Sequence, residues 1–276
     1  MNKVFPRWKP EKYHHFVRVL AFIAEQKVAT GKQVEKYCFH SSSRSLAWDT
    51  LKKLRSAQFV DTMTMLEPTE RPYSAFYLTA EGFKELKLQS LLDLGEIQIK
   101  SNTPKHDVIL TDLRLHFSRI QQCHYFVPEN IIRSKILEDD VNEIAIFRSN
   151  RCDSAVFMTI NDQKAWLALE YERSRKSQAR YIQRFKNWYQ AENLRGVLLV
   201  AENDSLIEVM TKIDAGTLPH LPRKILYLSI HNLQSATNEI KFFNSEMAPL
   251  TFTIGKSPNI QYPILDHNFA KSRSSL

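Results

Sequence analysis

Three carboxylates bracket an otherwise apolar stretch. Asp153 precedes Ser-Ala-Val-Phe-Met-Thr-Ile, and Glu170 and Glu172 close Trp166-Leu-Ala-Leu-Glu-Tyr-Glu. Asn161-Asp162 between the two apolar runs is a hairpin signal. With a two-residue turn, residue 160 faces 163 and Asp153 faces Glu170; a four-residue loop puts Asp153 opposite Glu172 instead. Glu170 and Glu172 share a strand face in either case. Gathering three like charges costs free energy unless a cation compensates them. Mg²⁺ or Mn²⁺, which take oxygen ligands, would do so with Asp153, Glu170 and Glu172 around the ion. The alternative is two glutamates alternating on a solvated face. Against it, residues 165–169 are continuously apolar, as in a strand buried on both sides.

Directly after Glu172 comes Arg173-Ser-Arg-Lys176-Ser-Gln-Ala-Arg180-Tyr-Ile-Gln-Arg184-Phe. Lys176, Arg180 and Arg184 are four apart and predict a cationic stripe on a helix over 173–190. Ala179, Ile182, Phe185 and Tyr189 would form its packing side. A stripe that begins beside a carboxylate cluster would hold a scissile phosphate against the metal. Tyr181 and Tyr189, with Phe185 between them, read as packing residues rather than nucleophiles. The chain has no His-X-His pair for a histidine metal triad and no GxxxxGK[ST] loop for ATP.

Upstream, residues 1–90 carry a pattern of their own. Phe16, Val17, Leu20, Ala21 and Ala24 recur at helical spacing and predict a helix over 11–26. Thr30-Gly-Lys opens a short second helix ending near Tyr37, and Ser41, Ser42 and Ser43 offer N-caps for a third over 44–58. The third helix carries Arg44, Lys52, Lys53 and Arg55, with Thr50 and Gln58 as hydrogen-bonding groups. Extended runs at 59–65 and 75–79 flank a Pro-containing turn at 67–72 and read as a β-ribbon. A last helix starts at Ala80. Residues 1–85 hold 14 Lys and Arg against 9 Asp and Glu, so +5 of the chain's +8 lies here. That asymmetry favours phosphate contact. The segment order, closed by Tyr77-Leu-Thr-Ala-Glu-Gly, resembles a winged helix-turn-helix, in which the third helix enters the major groove. A winged helix used for protein contacts is the alternative.

The polar stretch 99–105 precedes a second pattern. Leu110, Leu113, Phe117 and Ile120 predict a helix over 106–122. A short strand at 124–127, a surface helix at 131–137 and an acidic loop at 138–143 follow. Strands at 154–160, 165–169, 196–201 and 224–230 alternate with helices at 173–190 and 205–213, an α/β layer arrangement. Beyond Asn232 the pattern fades, and 255–276 reads as a tail. The expected fold class is α/β (α+β overall), with domains at 1–98 and 104–232 and an extension at 233–276.

At 276 residues the chain has room for one large domain or two modest ones. Its uncharged apolar runs reach six residues, at 19–24 and 196–201. A membrane span needs about 20, so a soluble protein with no membrane partner is expected. The first sixteen residues lack the apolar core of a secretory signal. Cys38, Cys123 and Cys152 are too scattered for a zinc knuckle or a disulfide framework, which points to the cytoplasm. A net charge of +8 and a pI near 9.3 favour a polyanionic partner, DNA or RNA first.

Asp153, then Glu170-Tyr-Glu172, then Lys176 resembles the PD-(D/E)XK nuclease core, in which a hairpin presents an Asp and an acid-X-Lys and a helix follows. Glu172 stands where lysine is usual, as glutamate does in some restriction enzymes of that superfamily. The whole order, with His106-Asp-Val-Ile-Leu-Thr-Asp112 between winged helix and acids, resembles the replication-relaxation family. Within it, the likeness is to MobC-class relaxases of mobilizable plasmids, over about residues 10–215. The resemblance implies a restriction-endonuclease-like domain and site-specific nicking of one strand of double-stranded DNA at a plasmid origin of transfer. It implies that Asp153 and Glu170 ligate Mg²⁺ or Mn²⁺, that Glu172 is a ligand or general base, and that Lys176 steadies the phosphate. His106, Asp107, Asp112 or Glu129 would add a helix-borne acid. Arg44, Lys52, Lys53, Arg55, Arg180 and Arg184 would contact DNA, and an accessory mobilization or coupling protein would be a further partner. Two alternatives stand beside it. One is a non-catalytic regulator of replication or transcription on a degenerate nuclease scaffold, for which the missing lysine speaks. The other is a defence or transposition nuclease that cuts both strands.

Overall fold

The computed structural model describes residues 10–39, 44–66, 72–89, 97–134 and 142–256. Helix α1 (Pro10–Gln26) turns Phe16, Val19, Leu20 and Ile23 inward. It ends where Lys27 adopts a left-handed φ of 65°. Strand β1 (Ala29–Thr30) leads into α2 (Gly31–Val34) through a capping box. Thr30 Oγ1 accepts from Gln33 N at 3.2 Å, and Gln33 Oε1 accepts from Thr30 N at 2.9 Å. A π-type turn over Glu35–Phe39 follows. Helix α3 (Arg44–Ser56) buries Ala47, Thr50, Leu51 and Leu54. Strands β2 (Val60–Met65) and β3 (Tyr73–Leu78) pair antiparallel, Val60 opposite Leu78, and β1 adds to the other edge of β3.

Helix α4 (Ala80–Gln89) packs its Gly82 directly on the chain ahead of β2: a Cβ there would lie 1.9 Å from the Phe59 carbonyl oxygen. Gly82→Ala must therefore push the helix off that backbone. We expect a loss of about 1–3 kcal/mol, as for other overpacked contacts, read as a lower thermal midpoint with the far-UV spectrum retained.

Helix α5 (Pro104–Phe117) contains the boundary between two units. Described residues through Thr111, with Ser134, form the first; Asp112–Arg133 and 142–256 form the second. In the second unit β4 (Cys123–Pro128), α6 (Glu129–Arg133) and α7 (Asn142–Ser149) come first. The hairpin β5 (Ser154–Ile160) and β6 (Gln163–Glu172) follows. Helix α8 (Gln178–Gln190) leads to β7 (Val197–Ala201), and α9 (Asp204–Gly216) leads to β8 (Ile225–Ser229). After α10 (Ile230–Ser235) come β9 (Glu239–Phe243) and β10 (Pro249–Thr253). The seven strands form one sheet in the order β10-β9-β8-β7-β6-β5-β4. Strands β6, β7 and β8 are parallel and all other neighbours antiparallel. Parallel pairing requires a long crossover, and α8 and α9 supply it.

The fold class is α/β, as expected. The boundary at 232 is corrected, because the sheet runs on through residue 253. Ile240, Phe242 and Phe252 are core residues there, with Phe242 and Phe252 ring centroids 6.0 Å apart. The pattern faded in the sequence because exposed Glu239 and Lys241 alternate with only a few apolar residues. Residues 257–276 lie outside the described residues. No helix among the described residues is long and apolar enough to cross a membrane. Cys38, Cys123 and Cys152 are buried and outside any disulfide, burial pushing the Cys123 thiol up to about 12.

Candidate functional site

Asn161 and Asp162 take left-handed φ values of 47° and 63°, the conformation a tight two-residue hairpin turn demands. The ladder then runs from Ile160 opposite Gln163 to Ser154 opposite Leu169. Asp153 and Glu170 are the next residues along the two strands, the first of the two registers read from sequence. Asp153 Oδ2 accepts a hydrogen bond from Tyr171 N at 2.9 Å. The carboxylate thus stands in for a ladder carbonyl and is tied to β6 beyond the last backbone pair. On the other edge of β6, Glu170 lies opposite Leu199 and Glu172 opposite Ala201 of β7. Glu170 and Glu172 are 1% and 5% exposed, so neither belongs to a solvated strand face.

The cation beside these buried acids is a side chain. Arg184 Nη2 donates to Glu170 Oε2, and Nη1 lies 3.9 Å from Glu172 Oε2. The same guanidinium sits over the Trp188 ring, 4.7 Å from its centroid. Lys176 Nζ lies 3.3 Å from Glu172 Oε1 and donates to Ser174 Oγ at 3.2 Å. Burial lifts the Glu170 carboxyl well above the usual range; Arg184 pulls it back and Asp153 pushes it further up. For Arg184, burial works downward, but Glu170, Asp153 and Glu172 outweigh it and raise the guanidinium. Burial, then Glu170, raise the Cys152 thiol. That thiol lies within hydrogen-bonding reach of the Glu170 carboxyl, while Oε1 of Glu170 is buried and meets no donor in good hydrogen-bonding geometry among the described residues.

The predicted cationic stripe is corrected. Lys176 precedes α8 rather than lying on it, because Ser177 caps the helix and accepts from Arg180 N at 3.4 Å. Lys176 N in turn donates to Tyr181 Oη at 3.1 Å. Arg184 turns onto the carboxylates, which leaves Arg180 exposed on the helix. The packing side is Tyr181, Phe185, Trp188 and Tyr189; Ala179 is exposed. Both tyrosines have structural contacts: Tyr181 stacks on Phe185 at 5.9 Å, and Tyr189 Oη donates to Asp214 Oδ1 at 2.7 Å.

Of the four candidates for a further acid, Asp107 is engaged within the first unit. Its Oδ2 lies 3.2 Å from Lys27 Nζ and accepts from Ser101 Oγ at 2.6 Å, while His106 Nδ1 lies 3.4 Å from Oδ1. Asp112 is half-buried on α5. Glu129 follows Pro128, the partner of Ser154, and so stands at the same end of the sheet as Asp153 and Glu170. It pairs with Arg133. Among the described residues, no group of three or more His, Cys, Asp or Glu side chains is arranged to hold a metal ion. Mg²⁺ asks for less, since it keeps several waters and takes one or two carboxylates. Asp153 and Glu170, with Oε1 of Glu170 lacking a partner, fit that smaller demand.

On α3, Lys52, Lys53 and Arg55 are exposed. Arg55 Nε lies 4.0 Å from Asp61 Oδ1. The side chain of Arg44, and Ser41, Ser42 and Ser43 altogether, lie outside the described residues. Thr50 is corrected from a DNA contact to an internal group: it is buried and donates to the Leu46 carbonyl at 2.7 Å. Sequence reasoning also missed Trp48, 40% exposed on this helix. Its place outside the apolar stripe expected from Leu46, Ala47, Leu51 and Leu54 was the available signal, and Leu46 of that stripe is itself exposed. No family model, no curated protein and no solved structure matches this chain.

Proposed function

We propose that this protein is a metal-dependent DNA-nicking enzyme whose first unit finds a duplex site and whose β5–β6 hairpin carries the cutting acids. One observation carries this reading: Asp153 and Glu170 follow the last ladder pair at the end of the hairpin, and Glu170 keeps a buried oxygen without a hydrogen-bond partner among the described residues. Three helices with a ribbon, then a hairpin bearing an acid on each strand and a following helix, are what the winged-helix and PD-(D/E)XK resemblances imply. The element order supports both.

Mg²⁺ or Mn²⁺, held by Asp153 and Glu170, would polarise the phosphate and lower the pKa of a water. Asp153 arrives oriented, because Tyr171 N fixes one of its oxygens. Glu172, held between Lys176 and Arg184, takes the proton of the attacking water. Lys176 is about a third exposed, so its ammonium is open on the solvent side to a phosphate. One such site per chain cuts one strand. A relaxase acting at a plasmid transfer origin in the cytoplasm, alongside a mobilization or coupling protein, is the setting the resemblance implies.

The test is nicking of a supercoiled plasmid bearing the cognate origin, with Mn²⁺ or with EDTA. Open-circular product that needs the metal and maps to one position on one strand is expected. Cuts in both strands would favour the defence-nuclease alternative. A second reading draws on a specific observation: Arg184 already compensates Glu170 and Glu172, as a DNA-binding regulator on this scaffold would require. Tight, salt-sensitive origin binding with no nick under either metal would establish that reading instead.

A further inference from the structure

We propose that the groove between residues 173–178 and α9 is a track for the phosphate backbone of a nucleic-acid strand, leading to the carboxylates. This rests on the DNA-nicking reading and names the surface that would deliver the substrate. Two adjoining hollows make the groove, sharing Arg175 and Val209. Arg173, Arg175, Lys176 and Lys212 line it, with Asn203 and Ser205 as polar neighbours, and none of the lining residues is acidic. Arg173, Arg175 and Lys212 are exposed and form no ion pair among the described residues. Arg173, Arg175 and Lys212, uncompensated around one groove, repel one another, so the arrangement favours a bound polyanion.

Position and length argue for the backbone of a nucleic acid. The groove lies outside the carboxyl ends of β6 and β7, where sheets with parallel strands bind their ligands. Its inner end is fixed by Lys176, which lines the groove and also lies 3.3 Å from Glu172. Along α9 it runs from Leu206 to Ile213. At 1.5 Å per residue that is about 10 Å, room for about two or three phosphates at 3.4 Å of axial rise per strand. A point anion would need one or two of these cations; a strand uses the row.

The test measures binding of the full chain in EDTA, so that failure to nick leaves it intact. The probes are labelled single-stranded and duplex oligonucleotides of about 20 nucleotides, longer than the footprint of a single binding fold. Arg173→Ala/Arg175→Ala/Lys212→Ala is compared with Lys164→Ala/Lys186→Ala/Arg195→Ala, which removes the same charge from exposed positions elsewhere in the same unit. Each phosphate-bound cation contributes about 0.7 to 0.9 to the slope of log K against log salt. The groove variant is expected to lose about 2–3 from that slope on at least one probe, and the control to keep the wild-type slope. Equal slopes for the two variants would overturn the track. So would competition by polyglutamate as strong as that by unlabelled oligonucleotide, which would assign the groove to an acidic protein.

Discussion

Glu170→Gln is expected to lower nicking by on the order of 10³-fold, the scale of losing one group that stabilises transition-state charge, while costing no stability near pH 8. The substitution keeps the shape and an oxygen for Arg184 to donate to, and replaces the ionisable oxygen that lacks a partner among the described residues with a neutral NH2. Burial raises the Glu170 carboxyl above its unfolded value, so the folded chain holds a proton over a range in which the unfolded chain has released it. The resulting stability is complete below the unfolded value of about 4.3 and is lost as pH rises through the folded value. Glutamine has no such dependence. In EDTA, the wild-type thermal midpoint should fall between about pH 5 and pH 8 by more than that of the variant. An acid that costs stability at working pH and yet sits at a hairpin end is behaving as a functional group rather than a structural one. A variant that nicks at the wild-type rate would remove Glu170 from the chemistry. Parallel pH profiles for the two proteins would show that its carboxyl is not held away from its unfolded behaviour.

How far the site was legible depended on the range over which its residues act. The hairpin was readable because Asn161-Asp162 sits between two apolar runs and strand alternation then fixes which residues face each other. That local rule narrowed the partner of Asp153 to Glu170 or Glu172, and the two-residue turn of the structure decides for Glu170. The helices of the first unit were readable for the same reason, marked by apolar spacing and by Thr30 at the start of α2. Arg184 was not. It lies fourteen residues from Glu170, and its direction depends on where α8 begins. Four-residue spacing put Lys176, Arg180 and Arg184 on one stripe, but Ser177 starts the helix one residue after Lys176 and divides the three. Ladder position was equally hidden for β9 and β10. Their pairing partners are set by tertiary contact, and a strand with alternating charges reads like a loop. Periodicity thus recovers what neighbours decide, and misses the contact that sets the electrostatics of the site.

That contact yields the largest expected stability change, in Arg184→Met. Breaking a buried ion pair by removing one partner costs about 3–5 kcal/mol, because the other charge is left uncompensated. Glu170 is 1% exposed, whereas the Arg184 side chain is 36% exposed and partly screened by solvent. The expected loss near pH 8 is therefore about 2–3 kcal/mol, or roughly 5–10 °C in thermal midpoint for a chain of this size. Without the guanidinium the Glu170 carboxyl rises further and keeps its proton to higher pH, so the loss should shrink as pH falls. The variant also separates the two readings of the site. Met cannot compensate the acids, but a divalent ion on Asp153 and Glu170 can, and a ligand at about 100 times its Kd restores about 2.7 kcal/mol. Mn²⁺ should then recover most of the lost midpoint in Arg184→Met and little in Arg184→Met/Glu170→Gln. If Mn²⁺ moves neither protein, the acids are not metal ligands. Arg184 is then the permanent counter-ion of a buried structural pair, and the chain binds DNA without cutting it.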